Sequence, residues 1–296
     1  MTLQTSGRTA LHATSGALDA ARRQQAKCAA FAQLHRGPGI FVMPNPYDVG
    51  SALYLGSLGF KALATTSAGA AWTLGRPDTG CDRAQVLAHI AAVAAASPLP
   101  VNADFESCFG GDADGVAESV GLCVKTGVAG LSIEDLTGNA ADPFHSLDEA
   151  LRRMRAARRA IAQSGMPVLL TARTECLLFG HPGGLREAIA RATAFAAEGA
   201  DVIFVPGLKT LDDVKSVVDA VRPVPVSVLA SMPFFTLRQL EDSGVRRVST
   251  GSSLARAAWG GFIRAAQEIA AEGTFNAFAQ GAPFAEVNGL FGGGKA

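Results

Sequence analysis

Three oxygen-bearing side chains stand two residues apart in the segment 100–106. A short apolar run leads into Asn102, Asp104 and Glu106. Because successive side chains of an extended chain alternate between faces, these three can converge on one point. Carboxylate and amide oxygens suit a hard cation such as Mg²⁺. The segment therefore predicts a magnesium site at a strand end, although a solvated strand end before a glycine-rich turn would show the same spacing.

Further polar groups follow other apolar runs of the chain. Arg173 would grip an anionic substrate through paired donors while neighbouring acids hold the cation. The alternative is a structural ion network in which Arg173 pairs with Glu134 or Glu175. The candidate groups at the ends of the predicted strands are Asn45, the run Thr66-Ser67-Ala68-Gly69, Asp104 with Glu106, Glu134 with Asp135, Arg173 with Glu175, Pro206-Gly207, and Ser249-Thr250-Gly251.

Short β-rich runs alternate with longer helical stretches from residue 40 onward, which is typical of βα units around a parallel sheet. Helix caps are predicted at Ser146, Thr210 and Thr236. Eight such units predict an α/β fold of the (β/α)₈ TIM-barrel type, in which catalytic groups sit at the carboxyl ends of the strands. An open doubly wound sheet is the alternative, but no GxGxxG follows any strand. The predicted strands are 39–43, 62–65, 101–104, 130–133, 168–172, 202–205, 224–229 and 247–250.

The ends of the chain are expected to lie outside this repeat. Residues 1–15 are expected to form a flexible tail, followed by a single barrel domain over 16–296. A helix over 17–33 is predicted to cap the lower mouth of the barrel. The segment after Leu254 is predicted to form a C-terminal helical arm that packs away from its own barrel and binds a partner.

Composition narrows the class of partner. The 296 residues are 48% hydrophobic and carry 26 basic and 26 acidic residues, with no basic patch of the kind that binds nucleic acid. No apolar run reaches the roughly 20 residues of a membrane helix. Five cysteines without a CxxC pair or a secretory signal predict reduced thiols and a cytoplasmic location. A small polar metabolite is the expected partner.

Several motifs, in this order, resemble the isocitrate lyase and phosphoenolpyruvate mutase superfamily over roughly residues 28–270. The matching segments are FVMPNPY with Asp48 at 41–48, ALATTSAG at 62–69, VNADFESCFG at 101–110, GLSIED at 130–135, LTARTE at 170–175 and a run ending in GADVIFV at 194–205.

The resemblance implies a barrel enzyme that uses Mg²⁺, or alternatively Mn²⁺, on α-keto or α-hydroxy carboxylates. The metal would act as a Lewis acid that stabilises an enolate. By the same resemblance, Asp104 and Glu134 are metal ligands, while Asp78, Glu134 and Arg173 are catalytic. The spacing at the strand end adds Asn102 and Glu106 as candidate helpers of the metal. The resemblance also assigns the substrate carboxylate to Arg173 and to the cradle of Ser67, Ala68 and Gly69. Two further substrate-binding candidates, Asn45 and Ser249, come from their places at the ends of strands.

Two departures from the family pattern stand out. Asn102 occupies the place of an aspartate, which keeps an oxygen ligand but removes a negative charge. The loop 136–145 lacks the cysteine that serves the family's lyases as an acid or base, which argues against a typical isocitrate or methylisocitrate lyase. His145 could replace that group, or be an ordinary surface histidine before a helix.

The sequence thus predicts a Mg²⁺-dependent carbon–carbon lyase or decarboxylase acting on small keto or hydroxy acids. A phosphonopyruvate-type hydrolase or mutase is the alternative within the enzymes, and a non-catalytic metabolite-binding barrel is the alternative of another class. The resemblance also implies a homotetramer, assembled as a dimer of dimers with an exchanged C-terminal helix.

Overall fold

Eight parallel strands form one sheet in the computed structural model, which describes the backbone of residues 6–292 and the side chains of residues 16 and 18–292. Each strand is short and most of its residues are buried. The strands are β1 (Phe41–Met43), β2 (Leu63–Ala64), β3 (Val101–Ala103), β4 (Gly130–Glu134), β5 (Leu169–Arg173), β6 (Val202–Phe204), β7 (Val226–Leu229) and β8 (Arg247–Ser249).

The strands follow the order β1-β8-β7-β6-β5-β4-β3-β2, and every neighbouring pair is parallel. β1 and β2 meet at a seam. There the Ala64 backbone N–H donates to the Pro44 carbonyl at 3.1 Å. The predicted (β/α)₈ barrel is therefore confirmed, with all eight strands at or near their predicted positions.

Helices separate the strands and cover the barrel. Three of them begin at the predicted caps, where Ser146, Thr210 and Thr236 accept hydrogen bonds from the backbone three residues on. The helices are α1 (Ser6–Arg36), α2 (Val49–Ser57), α3 (Ser67–Thr73), α4 (Arg83–Ala96), α5 (Ala113–Val124), α6 (Leu147–Ser164), α7 (Gly184–Ala197), α8 (Leu211–Val221), α9 (Leu237–Asp242), α10 (Ser253–Glu272) and α11 (Phe284–Phe291).

The N-terminal helix covers the end of the barrel opposite the strand termini that carry polar groups. Phe31 is fully buried, and Gln24 Nε2 donates to the carbonyls of Val124 and Val128 just before β4. α1 begins at Ser6, well before the predicted start at Ala17, so the backbone of residues 6–15 in the expected tail is helical. Residues 1–5 of that tail lie outside the described residues.

The C-terminal segment forms the predicted helical arm: α10, a 3₁₀ turn over Asn276–Gln280, and α11. Ala255 is the one buried residue of α10, and Trp259 and Phe262 are exposed. The ring of Phe291 returns to pack over Gly50 on α2, so the prediction that the whole arm packs away from its own barrel is wrong for its end. Within residues 6–292 no helix has the length and apolar character to cross a membrane.

Candidate active site

A cavity of about 150 Å³ opens among the carboxyl ends of the strands. Its small volume suits a compact metabolite rather than a large cofactor. Gly69, Glu106 and Glu134 are not part of its lining. The predicted site residues that do line it are Asn45, Ser67, Ala68, Asp78, Asn102, Asp104, Arg173 and Ser249.

Asp104 directly follows β3 and joins two neighbouring strand ends. Its Oδ2 accepts hydrogen bonds from the backbone N–H and the hydroxyl of Ser67, both at 2.9 Å. Its Oδ1 accepts from Arg173 Nη1 at 3.1 Å. The backbone N–H of Asp104 is held by Thr65 Oγ1 at 2.9 Å. The carboxylate is therefore fixed in place at the centre of the cavity wall.

Arg173, at the end of β5, is surrounded by acids. Nη1 lies 3.1 Å from Asp104 and 2.9 Å from Glu134 Oε1, and Nε is paired with Glu175 Oε1. The guanidinium also lies over the Phe204 ring, 5.1 Å from its centroid. The ion network that the sequence left as an alternative is thus present. Arg173 forms ion pairs with carboxylates of the protein itself.

Burial dominates the electrostatics of this cluster. It raises the pKa of Glu134 well above its usual range, and Arg173 only partly offsets the effect. Burial, with the charges of Asp104 and Asp78, raises the pKa of Glu106 to about 7. Burial also raises the pKa of Asp78. Several acids thus share a single arginine, and this surplus of negative charge attracts a cation or protons.

The surplus of carboxylates fits the chemistry of a hard divalent cation. Within residues 16–292, no three His, Cys, Asp or Glu side chains converge closely enough to enclose an ion by themselves. Mg²⁺ normally keeps several waters and takes only one or two carboxylates, with the substrate filling the remaining positions. Asp104 with Glu134 or Glu106 therefore suffices as a protein donor set, provided that Asp104 exchanges a bond to Ser67 or Arg173.

Asn102 lies one layer deeper than Asp104, on β3 itself. It is buried, and its Nδ2 donates to the Ala103 carbonyl at 3.2 Å. Its Oδ1 faces Gly130 at the start of β4 and has no hydrogen-bond partner among the described residues. A buried acceptor without a partner normally binds water or a ligand. The position suits an indirect, water-mediated contribution to a cation better than direct ligation.

The turn that starts α3 supplies backbone donors to the cavity, but most of them are engaged. The Ser67 N–H binds Asp104, and the Gly69 N–H binds the Thr66 hydroxyl at 3.2 Å. The Ala68 N–H has no such partner among the described residues. A side chain at Gly69 would collide with Thr66 and Tyr47. A substrate carboxylate would therefore meet the Ala68 N–H, and the Ser67 hydroxyl once that group turns away from Asp104.

Asn45 ties together the loops that follow three strands. Its Oδ1 accepts from the backbone N–H groups of Thr250 and Gly251, both at 2.9 Å, and its Nδ2 donates to the Thr65 carbonyl at 2.8 Å. Its amide is thus occupied by the protein. Ser249, at the end of β8, lines the same wall.

Asp78 reaches the cavity from the loop between α3 and α4. Its Oδ1 lies 3.4 Å from the Ser67 hydroxyl and accepts from the Thr79 N–H at 2.9 Å. Ser67 therefore stands between Asp78 and Asp104, which places both carboxylates on the same side of the cavity.

Sequence reasoning gave no role to a buried network behind the site. Asp135 accepts from the Thr174 hydroxyl at 2.7 Å, the Glu175 N–H at 2.9 Å and Arg191 Nη1 at 3.1 Å. It thereby fixes the chain beside Arg173. The two adjacent acids at the end of the segment GLSIED were the sequence feature that could have indicated this network. Arg247, an arginine at the start of an apolar strand, lines the cavity and was also missed.

The loop after β4, residues 135–146, turns back on itself. Leu136 and Phe144 form an isolated antiparallel bridge, and the Thr137 hydroxyl donates to the Asp142 carbonyl at 2.5 Å. His145 belongs to a separate surface depression beside His181 and is not part of the cavity lining. The structure therefore does not bring His145 into the site as a substitute for the missing cysteine.

Comparison with known families gives one extensive match. The phosphoenolpyruvate phosphomutase family model matches residues 31–270. That range contains all eight strands and every residue of the candidate site.

Individual relatives agree with this match. A 2-methylisocitrate lyase of Escherichia coli K12 is 31% identical over 205 residues, which are 66% of this chain and 68% of that protein. A crystal structure of a Burkholderia cenocepacia J2315 protein, provisionally described as a lyase/mutase, is 42% identical with a TM-score of 0.87 and covers 91% of this chain and 97% of that one. An oxaloacetate acetylhydrolase bound to its product oxalate is 26% identical, with a TM-score of 0.79 and coverage of 90% and 94%.

Proposed function

The chain belongs to the phosphoenolpyruvate phosphomutase family, whose relatives are lyases and mutases, and we propose that it is a Mg²⁺-dependent carbon–carbon lyase or decarboxylase. Its substrates would be small α-keto or α-hydroxy acids, with oxaloacetate-like and substituted malate-like compounds as the first to test. The observation that supports this proposal best is the acid-rich cluster around Arg173 at the mouth of a small cavity.

The metal site of this proposal consists of Asp104 and Glu134, with Glu106 as an additional carboxylate and Asn102 acting through water. Bound Mg²⁺ would supply Lewis-acid stabilisation of the negative charge that develops on the substrate oxygen. Arg173 holds the carboxylates of Asp104 and Glu134 next to each other and limits their mutual repulsion. The Ser67 hydroxyl and the Ala68 N–H would orient the substrate carboxylate.

Proton transfer in this proposal belongs to Asp78, because Glu134 is assigned to the metal and a bound cation would keep it ionised. Asp78 lies in the loop after α3, 3.4 Å from the Ser67 hydroxyl. Desolvation raises its pKa, so it holds a proton more readily than an ordinary aspartate and can exchange it with a reacting atom. Asp78 is therefore the candidate for the role that the cysteine plays in the family's lyases.

The second candidate is a phosphonopyruvate-type hydrolase or mutase reaction, favoured by the position of Asp78 at the cavity. The resemblance assigns an aspartate in this loop to the reacting group of the mutase branch. Both reactions would use the same metal site, so they differ in the bond that is broken.

A substrate panel tests the proposal. Purified protein with and without Mg²⁺ is given oxaloacetate, alkylmalates, methylisocitrate and phosphonopyruvate, while pyruvate and phosphate release are followed. We expect Mg²⁺-dependent release of a keto acid without phosphate. Phosphate release from phosphonopyruvate, or its isomerisation to phosphoenolpyruvate without phosphate release, would select the second candidate. No turnover, together with a melting temperature unchanged by Mg²⁺ and oxalate, would leave only the non-catalytic barrel.

The same family resemblance implies association into a dimer of dimers. The exposed apolar residues of α10, among them Trp259 and Phe262, support this proposal. The barrel as described leaves that helix face without a covering partner among residues 6–292.

A further inference from the structure

The second arginine of the cavity lies at its inner end and has no acid beside it. Arg247 opens β8, is 2% exposed and belongs to the cavity lining. Among the described residues no carboxylate lies within 4 Å of its guanidinium. Its contacts are hydroxyl groups: Nε donates to Ser227 Oγ at 2.9 Å, and Nη1 and Nη2 both donate to Thr171 Oγ1 at 3.2 Å.

Donors outnumber acceptors around this group. A guanidinium has five N–H donors. Three hydrogen bonds are formed, by Nε, Nη1 and Nη2, so two N–H donors remain. The hydroxyls of Thr171 and Ser227 act as acceptors toward Arg247, and their own hydrogens have no acceptor among the described residues. Hydrogen-bond donors that lack acceptors and surround a positive charge are what an anion-binding site requires.

The charge balance leads to the same conclusion. A buried ion without a partner costs several kcal/mol. Burial lowers the pKa of Arg247 to about 9, which leaves the group charged at neutral pH. The neighbouring His35 supplies no counter-charge, since a histidine is either neutral or positive; burial and Arg247 lower its pKa to about 3, so the ring is neutral. Arg173, the other arginine of the cavity, already has three acids of its own.

We propose that Arg247, Thr171 and Ser227 bind a carboxylate group at the inner end of the cavity. The planar guanidinium matches a carboxylate through paired donors, and the two hydroxyls add donors at the same point. The cavity volume of about 150 Å³ admits a compact acid, because one water takes up about 30 Å³ of liquid.

The carboxylate has two chemical sources. It can be the second acid group of the substrate, an assignment that rests on the proposed function, or a free small carboxylate that fills the site independently. In the first case the substrate is a dicarboxylate, with one acid group near Asp104 and Ser67 and the other on Arg247. Selection of a dicarboxylate over a monocarboxylate would then originate at β8.

Thermal unfolding in sodium formate tests the anion site itself. Formate is compared with sodium gluconate, a bulkier anion, at equal ionic strength. We expect formate to raise the melting temperature of the wild type saturably, by roughly 5 °C at a hundredfold excess over its Kd. Arg247→Met should lose this response, whereas Arg238→Met, at an exposed position, should keep it. Absence of a saturable formate effect in the wild type would overturn the proposal.

A milder variant covers the case in which Arg247→Met does not fold. Ser227→Ala removes one hydroxyl and a few atoms of volume, so the barrel should remain intact. We expect it to weaken formate binding several-fold, because one donor to the anion is lost. An unchanged formate affinity in a folded Ser227→Ala protein would contradict the proposed donor set.

Calorimetry with Mg²⁺ distinguishes the two sources. Oxalate is short enough to occupy the Asp104 end alone, whereas malate reaches further. If the subsite holds the second carboxylate of the substrate, saturating formate should weaken the binding of malate by about tenfold or more and leave the binding of oxalate unchanged. Arg247→Lys should have the same two effects. If formate and malate bind additively, the anion is independent of the substrate, and the dicarboxylate assignment is wrong. Failure of Mg²⁺ and oxalate to bind the wild type would refute the proposed function while leaving the formate result standing.

Discussion

Arg173 determines the electrostatic character of the site at the level of single residues. It holds Asp104, Glu134 and Glu175 together, yet one positive charge does not balance them. Removing Asp104 would leave Arg173 in place but withdraw the carboxylate that faces the cavity. The cluster is therefore organised around a deficit of positive charge, which a metal ion would meet.

Replacement of Asp104 by alanine should abolish turnover of whichever panel compound is active. We expect a fall of at least about a thousandfold, because a metal contributes several kcal/mol of transition-state stabilisation. Steady-state kinetics across a Mg²⁺ titration measures the effect. Asp242→Ala, at an exposed helix end, is the matched control and should be as active as the wild type. Full activity of Asp104→Ala would rule out the metal assignment.

His35 should make the protein sensitive to acid. Burial and Arg247 lower its folded-state pKa to about 3, from 6.5 in the unfolded chain. The unfolded state therefore binds more protons between these values, so stability is complete above pH 6.5 and is lost as the pH falls below it. Between pH 7.5 and 5.0 the loss is about 2 kcal/mol.

Urea unfolding at the two pH values measures that loss. His35→Gln lacks the titrating ring, so its free energy of unfolding should change less over this range than that of the wild type. Equal changes in the two proteins would show that His35 does not titrate as described.

The turn between β3 and α5 has an unusual backbone conformation. Glu106, Cys108 and Phe109 all have positive φ, at 48°, 64° and 53°, a conformation that non-glycine residues rarely adopt. Arg153 stabilises the turn from α6, where its Nη2 donates to the carbonyls of Ser107 and Gly110, both at 2.9 Å. The backbone after the central carboxylate is therefore strained and held by a buried side chain.

Gly110→Ala should disrupt this turn. An added Cβ would lie 2.2 Å from the Val116 backbone nitrogen, so α5 or the turn must shift. We expect a loss of about 3 kcal/mol in the free energy of unfolding, measured in urea. Gly111→Ala is a close control, because nothing lies within 4 Å of its added Cβ. Similar losses in the two variants would show that close packing is not the cause.

The order of elements was predictable because it depends on local pattern. The apolar runs and the caps at Ser146, Thr210 and Thr236 identified the βα units without any tertiary information. The three-dimensional details were not predictable. Whether Arg173 faces substrate or Glu134 depends on distances across strands, and the charge of Arg247 stands out only once its buried surroundings are known.

The whole molecule leaves a large apolar surface on its C-terminal arm. α10 has twenty residues, of which Ala255 alone is buried, and Phe262 is 63% exposed. Exposed apolar surface on this scale is typical of association sites. The arm is therefore the expected contact between subunits.

Phe262→Glu should shift the protein toward smaller assemblies. A charge in an apolar contact must be desolvated without a partner, which disfavours association. Sedimentation velocity at several concentrations measures the species present. Gln267→Glu adds the same charge at an exposed polar position of α10 and should leave the distribution unchanged. An identical distribution for Phe262→Glu and the wild type would exclude this position from the contact.

The seam between β1 and β2 has a consequence for the order in which the barrel opens. Seven of the eight strand junctions are full ladders, whereas this one depends on the bond from Ala64 to Pro44 and on the amide of Asn45. Local opening should therefore begin here. In native-state hydrogen exchange the Ala64 amide should exchange before that of Leu131 on β4. Local opening of the barrel would then begin in the wall that carries Asn45 and Ser67. This opening would provide a gate for entry into the cavity.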